Sequence, residues 1–551
     1  MSNDLSVPWP DELAARYRRA GLWEGVTIVE MVERTALRLP DKVALVHGDR
    51  RTTYAELVRA SRRLAVGLAQ RGIAPGDRVV MQLPNVPEFV TTYLALNAIG
   101  AIPVMALRAH RHAEVRHFIR ASGATTYVAP DVLGNFDYRA MAHEMQQQFP
   151  ALRHVLIAGV AGEGQTALRD VGDPSMPDAD IAARLRPLRP RPADVATMLL
   201  SGGTTSMSKL IARTHDDYVL NARLCGAVAG FGRDTVFMAI LPLGHNYNLA
   251  SPGLLGTFYH GGTVVLAPSA GADDVFALVE RERVTVIAAV VPLISNWLNS
   301  DACERFDLSS LRVVQNGGAR LAPELRARLR ERLHCIPQEI YGTAEGLINM
   351  TRLDDPDELL LHSSGAPVCE LDEIMVVDDD GNELPDGVAG ELITRGPYTI
   401  RGYYNAPEKN AEAFLPGGWY RMGDIVRRNG RYVYTEGRRK DLINRGGEKI
   451  SCDEVENLIF AHPKVKTVVL VAMPDPVFGE KACACVVCKP GESLGFDELI
   501  AFLRGQQIAS FKLPERLEVM DELPVSPVGK ILKRELRDMI AAKLAREAGP
   551  V

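Results

Sequence analysis

Asp77-Arg78-Val79-Val80-Met81, a helical stretch near 89–99, and Ile102-Pro103-Val104-Met105 make up the passage that decides the fold. Two short β-branched runs flank one stretch of helical spacing, which is the pattern of a strand, a crossover helix and a second strand. The same alternation continues from about Thr27 to Thr394. It predicts an α/β fold with a large N-terminal domain of βαβ-built sheets and helices packed on their faces. After about Gly396 the texture changes: residues 397–437 are rich in Gly, Tyr and Arg, as loops and short strands are. Beyond them, strand-like runs at 467–473 and 482–487 alternate with helical runs at 453–461 and 496–506. That is enough chain for a small α+β domain. The boundary falls near Lys440, giving a large unit over 1–439 and a small C-terminal one over 440–551. The last helix, 532–547, is amphipathic with one side in solvent.

Bulk properties narrow the function classes. A chain of 551 residues exceeds one ordinary core, so it divides into domains. Hydrophobic residues at 46% and charged residues at 24% fit a folded, soluble protein. The net charge of −6 is spread over both signs with no basic stripe, which argues against nucleic acid as a partner. Residues 1–23 carry acids and prolines and lack a signal-peptide core, and no apolar run reaches the ~18 residues of a membrane span. The expected location is therefore cytoplasmic, with no membrane partner. Eight cysteines in so long a chain do not make a disulfide scaffold. Cys483, Cys485 and Cys488 lie in the apolar stretch 481–489, which reads as a strand. A metal site is the alternative, although no nearby histidine completes it.

Five segments carry chemistry. Ser201-Gly202-Gly203-Thr204-Thr205-Ser206-Met207-Ser208-Lys209 follows the apolar run Val195–Leu200, so it leaves a strand end as a loop. Small residues let the backbone approach a phosphate chain, hydroxyls and N–H groups hold its oxygens, and Lys209 adds a point charge. The Walker spacing is not met, because Ser208 precedes the lysine and Leu210 follows it. Taken alone, such a loop is more often a flexible turn. Tyr341-Gly342-Thr343-Ala344-Glu345-Gly346 joins an aromatic ring to a carboxylate four residues on, which suits purine stacking and Mg²⁺ binding from one loop. Its alternative is a tight turn with a solvated glutamate. Trp419-Tyr420-Arg421-Met422-Gly423-Asp424 and Glu436-Gly437-Arg438-Arg439-Lys440-Asp441 offer an aspartate for ribose hydroxyls and an arginine as a charged donor. Leu523-Pro524-Val525-Ser526-Pro527-Val528-Gly529-Lys530 places a lysine on a glycine-punctuated loop able to swing into a distant site.

Together and in this order, these segments resemble the adenylate-forming superfamily of acyl-CoA synthetases, peptide-synthetase adenylation domains and firefly luciferase. The resemblance spans roughly Thr27 to Leu536 and takes in Glu391-Leu392-Ile393-Thr394-Arg395-Gly396 and Arg401-Gly402-Tyr403-Tyr404-Asn405. It implies ATP and Mg²⁺ as cofactors. It assigns the β- and γ-phosphates to the loop of Ser201, Gly202, Gly203, Thr204, Thr205 and Lys209. Gly317, Gly318 and Ala319 would contact adenine, with Tyr341, followed by Gly342, stacking on the base. Glu345 resembles the Mg²⁺ ligand, and Asp424 and Arg438 resemble the ribose-binding pair. Lys440 corresponds to the hinge, and Lys530 to a mobile lysine bridging the acid and the α-phosphate. Lys530, Glu345 and Lys209 form the catalytic set so implied. In the implied reaction a carboxylate attacks the α-phosphorus, pyrophosphate leaves, and a thiol then displaces AMP after the small domain turns. One departure stands out: the family loop usually has glycine where Ser206 stands, and serine is costly if that position needs a positive φ.

The acyl site is expected near Gly244-His245-Asn246-Tyr247-Asn248-Leu249-Ala250-Ser251-Pro252-Gly253. Amino-acid adenylation domains carry aspartate in the place of Asn246; a neutral amide instead suits an acid with no amine and can pair with a phenol beside the carboxylate. The alternative for Asn246 is a turn residue. This segment is similar to the stand-alone aryl-acid adenylating enzymes of catechol and phenolate siderophore pathways. So are Thr351-Arg352-Leu353-Asp354-Asp355, Arg213-Thr214-His215-Asp216-Asp217-Tyr218 and Asn444-Arg445-Gly446-Gly447-Glu448-Lys449. Within that group Ser251 resembles the residue of 2,3-dihydroxybenzoate enzymes, where salicylate enzymes tend to carry cysteine. His245, Tyr247, Val291 and Ile348 would wall the pocket, although Ile348 reads equally as plain core. The resemblance implies an aryl-acid AMP ligase serving an aryl carrier protein that bears phosphopantetheine on a separate chain. Two rivals stay open: an aryl-CoA or other acyl-CoA ligase, and a non-catalytic binding relative suggested by Ser206.

Overall fold

The computed structural model describes residues 6–201, 208–438, 442–445, 448–506, 508, 510–526 and 531–547. Strands Arg78–Met81 and Ile102–Met105 lie parallel and adjacent, joined through the helix Pro87–Ala98. Proline suits the first helical position, where its missing N–H leaves no bond unmade. That helix is buried almost all round, because helices Ile28–Arg38 and Tyr54–Gln70 cover the side facing away from the sheet.

These strands belong to a seven-stranded sheet whose order is Leu210–Thr214, Val195–Leu200, Ile102–Met105, Arg78–Met81, Thr126–Pro130, His154–Ala158, Thr166–Ala167. A nine-stranded sheet holds six parallel strands in the order Ile336–Thr343, Val313–Gly317, Val286–Ala289, Val236–Ala239, Thr263–Leu266, Val43–His47. One core joins the two sheets, with Val79, Met81 and Leu156 from one and Ala239, Val264 and Val313 from the other. Parallel strands align their carboxyl ends, and ligands of such sheets settle outside that edge. Here the edge runs through Ala239, Ala289 and Gly317.

Residues 397–437 hold longer strands than their composition suggests. Trp419–Asn429 has 11 residues and pairs antiparallel with Tyr432–Arg438 across a turn at Gly430, whose φ is 58°. Arginine and tyrosine are accommodated because one face of this antiparallel ribbon meets solvent.

The C-terminal part has cores of its own. The hairpin Val465–Asp475 and Gly479–Cys488 carries the helices Cys452–Phe460 and Phe496–Gly505 on one face and Lys533–Glu547 on the other. Strand parity separates the three cysteines: Cys483 and Cys485 pack with Leu536 and Ile540, whereas Cys488 lies with Leu499 on the opposite face. The three thiols therefore do not converge on one point, as the strand reading expects. Among the described residues no helix is long and apolar enough to cross a membrane.

Candidate active site

The strand Val313–Gly317 ends at the carboxyl edge, and Gly318 turns out of it with a φ of 84°. Asn316 holds this turn, donating from Nδ2 to the Ala319 carbonyl at 2.7 Å and to Glu339 Oε2 at 2.9 Å. Glu339 in turn pairs with Arg326 at 3.1 Å, and both are almost wholly buried. A Cβ on Gly317 would lie 2.8 Å from the Tyr247 ring. Glycine thus lets the Tyr247 ring close against the strand end.

Tyr341 and Gly342 are in a strand rather than a loop. Ile336–Thr343 and Gly346–Met350 form a hairpin with Ala344 and Glu345 at its tip. Three contacts fix that tip. Ile400 N–H donates to the Glu345 carbonyl at 2.7 Å. Arg213 donates to the Ala344 carbonyl at 2.9 Å and to the Tyr398 carbonyl at 3.1 Å, while its buried partner Asp217 stands at 2.7 Å. The Tyr403 hydroxyl donates to Glu345 Oε1 at 2.9 Å.

Tyr403 also receives the other sign of charge. Lys209 Nζ sits 4.1 Å from its ring centroid, a cation–π distance. One tyrosine therefore stands between the carboxylate and the lysine. Burial, with Glu345 alongside, pushes the Tyr403 and Tyr420 phenols well up, so both remain hydrogen-bond donors. The base of the 201–209 loop is closed by Ser201 N–H to the Lys209 carbonyl at 3.0 Å and by Lys209 N–H to Ser201 Oγ at 2.9 Å. Gly202, Gly203, Thr204, Thr205 and Ser206 lie outside the described residues, as do Lys440 and Lys530. Asp424 and Arg438 are direct cross-strand partners, and Tyr341 donates its hydroxyl to Asp424 Oδ2 at 2.8 Å.

The acyl segment forms a short helix, Asn246–Ala250, capped by His245, whose Nδ1 accepts Tyr247 N–H at 3.3 Å. Asn246 is buried; its Oδ1 accepts the Tyr218 hydroxyl at 2.8 Å and its Nδ2 donates to Ser251 Oγ at 3.2 Å. Asn221 donates to the same Ser251 oxygen at 3.1 Å. Val291 stands half-buried at the start of the helix Val291–Leu298, just past the strand end at Ala289. Ile348 is only 2% exposed, so the structure gives it a packing role at least as clearly as a pocket wall. Its N–H donates to the Tyr398 hydroxyl at 3.3 Å, and that hydroxyl donates to Asp372, whose carboxyl burial pushes up to about 7.

Tyr403, Tyr218, Asn221 and the Arg213–Asp217 pair have no assigned part in the sequence reading. All but Asn221 lie in segments noted there, but neither a tyrosine nor an arginine carries a mark of which distant group it will meet. The residues fit the implied groups. Tyr403 takes Glu345 Oε1, and among the described residues no hydrogen bond reaches Oε2, the oxygen that would face a cation. A single carboxylate oxygen suits Mg²⁺, which keeps most of its waters and binds phosphates besides.

The strand-end turn and the carboxylate-tipped hairpin belong to the nine-stranded sheet, and Tyr403 links the hairpin to the lysine that closes the 201–209 loop of the seven-stranded one. A family profile described as AMP-binding enzyme matches residues 32–404, and one described as AMP-binding enzyme C-terminal domain matches 454–530. The chain belongs to the AMP-binding enzyme family. A salicylyl-CoA synthase / salicylate adenylyltransferase of a Streptomyces species is 47% identical to this AMP-binding enzyme, covering 98% of this chain and 99% of the relative. A 2,3-dihydroxybenzoate-AMP ligase of Bacillus subtilis is 44% identical, with 98% of both chains covered. Among solved structures, the apo form of Mycobacterium smegmatis MbtA is similar with a TM-score of 0.74 at 40% identity, over 97% of this chain and 98% of that one.

Proposed function

We propose that this AMP-binding enzyme activates a hydroxylated benzoate, 2,3-dihydroxybenzoate ahead of salicylate, as its acyl-adenylate in siderophore assembly. It then passes the acyl group to the phosphopantetheine thiol of a separate aryl carrier protein. The observation that carries this reading is the buried, uncharged Asn246–Ser251 pair beside Tyr247, which itself touches the end of the Gly317 strand. A charged amine would find no counter-charge in Asn246, whereas phenolic oxygens find hydrogen-bond donors. Ser251 supports a second ring hydroxyl, and the Bacillus relative's name agrees. Salicylate is the second reading, favoured by the name of the Streptomyces relative, which also points to coenzyme A as an alternative thiol.

In this reading the acid's carboxylate attacks the α-phosphorus of ATP and pyrophosphate leaves. Ser201 and Lys209, with Gly202, Gly203, Thr204 and Thr205, hold the terminal phosphates. Gly317, Gly318, Ala319, Tyr341 and Gly342 hold the adenine, and Asp424 with Arg438 the ribose. Lys530 bridges the carboxylate and the α-phosphate; each such well-placed group is worth about 3 kcal/mol in the transition state. Mg²⁺ held at Glu345 would offset the charge of the phosphates. Tyr403 contacts both Lys209 and Glu345 and so holds the two charged side chains beside one another's site. The large unit ends near 439, and Lys440 is the hinge for the second step. Eight free thiols fit a reducing cytoplasmic setting.

Pyrophosphate exchange into ATP tests this, with 2,3-dihydroxybenzoate, salicylate, benzoate, an amino acid and a fatty acid as substrates. Exchange driven best by 2,3-dihydroxybenzoate supports the reading in full, and a salicylate preference replaces only the ring assignment. Exchange driven only by the amino acid or the fatty acid would sink it.

A further inference from the structure

The direction of the hydrogen bonds around Asn246 decides what its side chain can offer a ligand. Tyr218 lies in the helix His215–Val228, is fully buried, and has the Arg213 guanidinium carbon 4.8 Å from its ring centroid. Its hydroxyl donates to Asn246 Oδ1 at 2.8 Å, which occupies the amide's acceptor end. The donor end faces Ser251, where one N–H reaches Oγ at 3.2 Å. Asn221, one turn beyond Tyr218, sends a second N–H to the same Oγ at 3.1 Å while also holding the Ala250 carbonyl at 2.7 Å. With two N–H groups pointed at its oxygen, Ser251 has its own O–H to give, and the buried Cys225 thiol stands close enough to take it. Asn246 has its second N–H left, with no partner for it among the described residues. Burial holds the Tyr218 phenol protonated well above its usual range, so the donor that sets this order is not lost at working pH.

We propose that Tyr218 is a specificity-determining positioning residue: it fixes the Asn246 amide so that this side chain turns an N–H, not its oxygen, to the acid, selecting ortho-oxygenated benzoates against ortho-aminated ones. The proposal rests on the aryl-acid reading of this site and says which ring substituents it admits. A phenol or phenolate oxygen accepts from N–H and O–H groups. An aromatic amine brings two N–H donors and a lone pair delocalised into the ring, so donor would face donor at a buried position. A site built to pair with one group rejects the analogue that leaves its buried polar atoms unmatched, and does so strongly. Without the Tyr218 hydroxyl the amide is free to turn over and offer Oδ1.

The experiment compares pyrophosphate exchange driven by salicylate and by 2-aminobenzoate in the wild-type enzyme, Tyr218→Phe and Asn246→Asp. The wild type is expected to favour salicylate by at least ~100-fold in kcat/KM. Tyr218→Phe is expected to reduce that ratio at least tenfold, mostly through the two KM values, because substrate fit changes and the phosphate chemistry does not. Asn246→Asp puts acceptors on both sides of the group and is expected to favour the amine, giving a second reading should Tyr218→Phe fail to fold. General loosening of the fold would lower both acids together and leave their ratio alone. A wild type that takes both acids equally, or a Tyr218→Phe ratio unchanged beside a strong salicylate preference, overturns the Tyr218 proposal alone. No exchange with either acid in the wild type overturns it together with the aryl-acid reading.

Discussion

Gly317 and Tyr247 show how closely the site is packed at the level of single residues. A methyl group on Gly317 would sit 2.8 Å from the Tyr247 ring, inside contact distance, so Gly317→Ala must displace the ring. The expected result is a rise of about tenfold in acid KM, ~1.4 kcal/mol, with stability lowered by roughly 1–3 kcal/mol; exchange kinetics and urea unfolding measure the two. Two buried groups set opposite pH slopes. His215, wholly buried and accepting Ile28 N–H at 3.2 Å, is held down from 6.5 to about 3 by desolvation. Below pH 6.5 the unfolded imidazole takes up a proton that the folded one refuses, so stability is lost as pH falls. Asp372 is pushed from 3.8 to about 7, so the folded carboxyl keeps a proton that the unfolded one releases, and stability is lost as pH rises through that window. Each contributes at most about 1.4 kcal/mol per pH unit. Unfolding free energies at pH 5, 6 and 7 should fall less steeply with rising pH in Asp372→Asn and less steeply with falling pH in His215→Asn.

At the scale of elements, the hairpin tip carrying Glu345 depends on an ion pair from another part of the chain. Arg213 lies in a strand of the seven-stranded sheet, yet its guanidinium spans from Asp217 to the carbonyls of Ala344 and Tyr398. Asp217→Asn leaves a buried cation with half its partner and should cost about 3–5 kcal/mol. Pyrophosphate exchange should fall with it while nucleotide-free secondary structure is retained, which circular dichroism and urea titration will separate. The strand–helix–strand passage at 78–105 and the Gly479–Cys488 strand are legible from local patterning, because periodicity and parity are properties of short windows. The 341–346 segment is not: it reads as a loop, and becomes a hairpin because Gly346, with a φ of 147°, lets the chain pass Thr399 where a Cβ would lie 2.3 Å from its Cα. That contact joins residues far apart in sequence and leaves no local pattern.

The whole molecule couples a large unit to a small one with cores on both faces of its hairpin. If Lys530 serves only the first step, Lys530→Ala should lower adenylate formation at least ~100-fold while leaving acyl transfer from preformed adenylate within about twofold, on the gating view of domain motion. Single-turnover assays of each half-reaction decide it; equal loss in both would place the lysine in a shared structural role.

The sequence by itself determined the fold class, the order of the chemistry-bearing segments and the likeness to a family, because each rests on residue type and spacing along the chain. Tertiary structure decided which groups meet. Only folding placed Tyr403 between Lys209 and Glu345, Tyr341 on Asp424, and Tyr218 on the acceptor end of Asn246. A hydroxyl's partner, and the direction in which it gives its hydrogen, depend on atoms that only the packed chain brings within 3 Å.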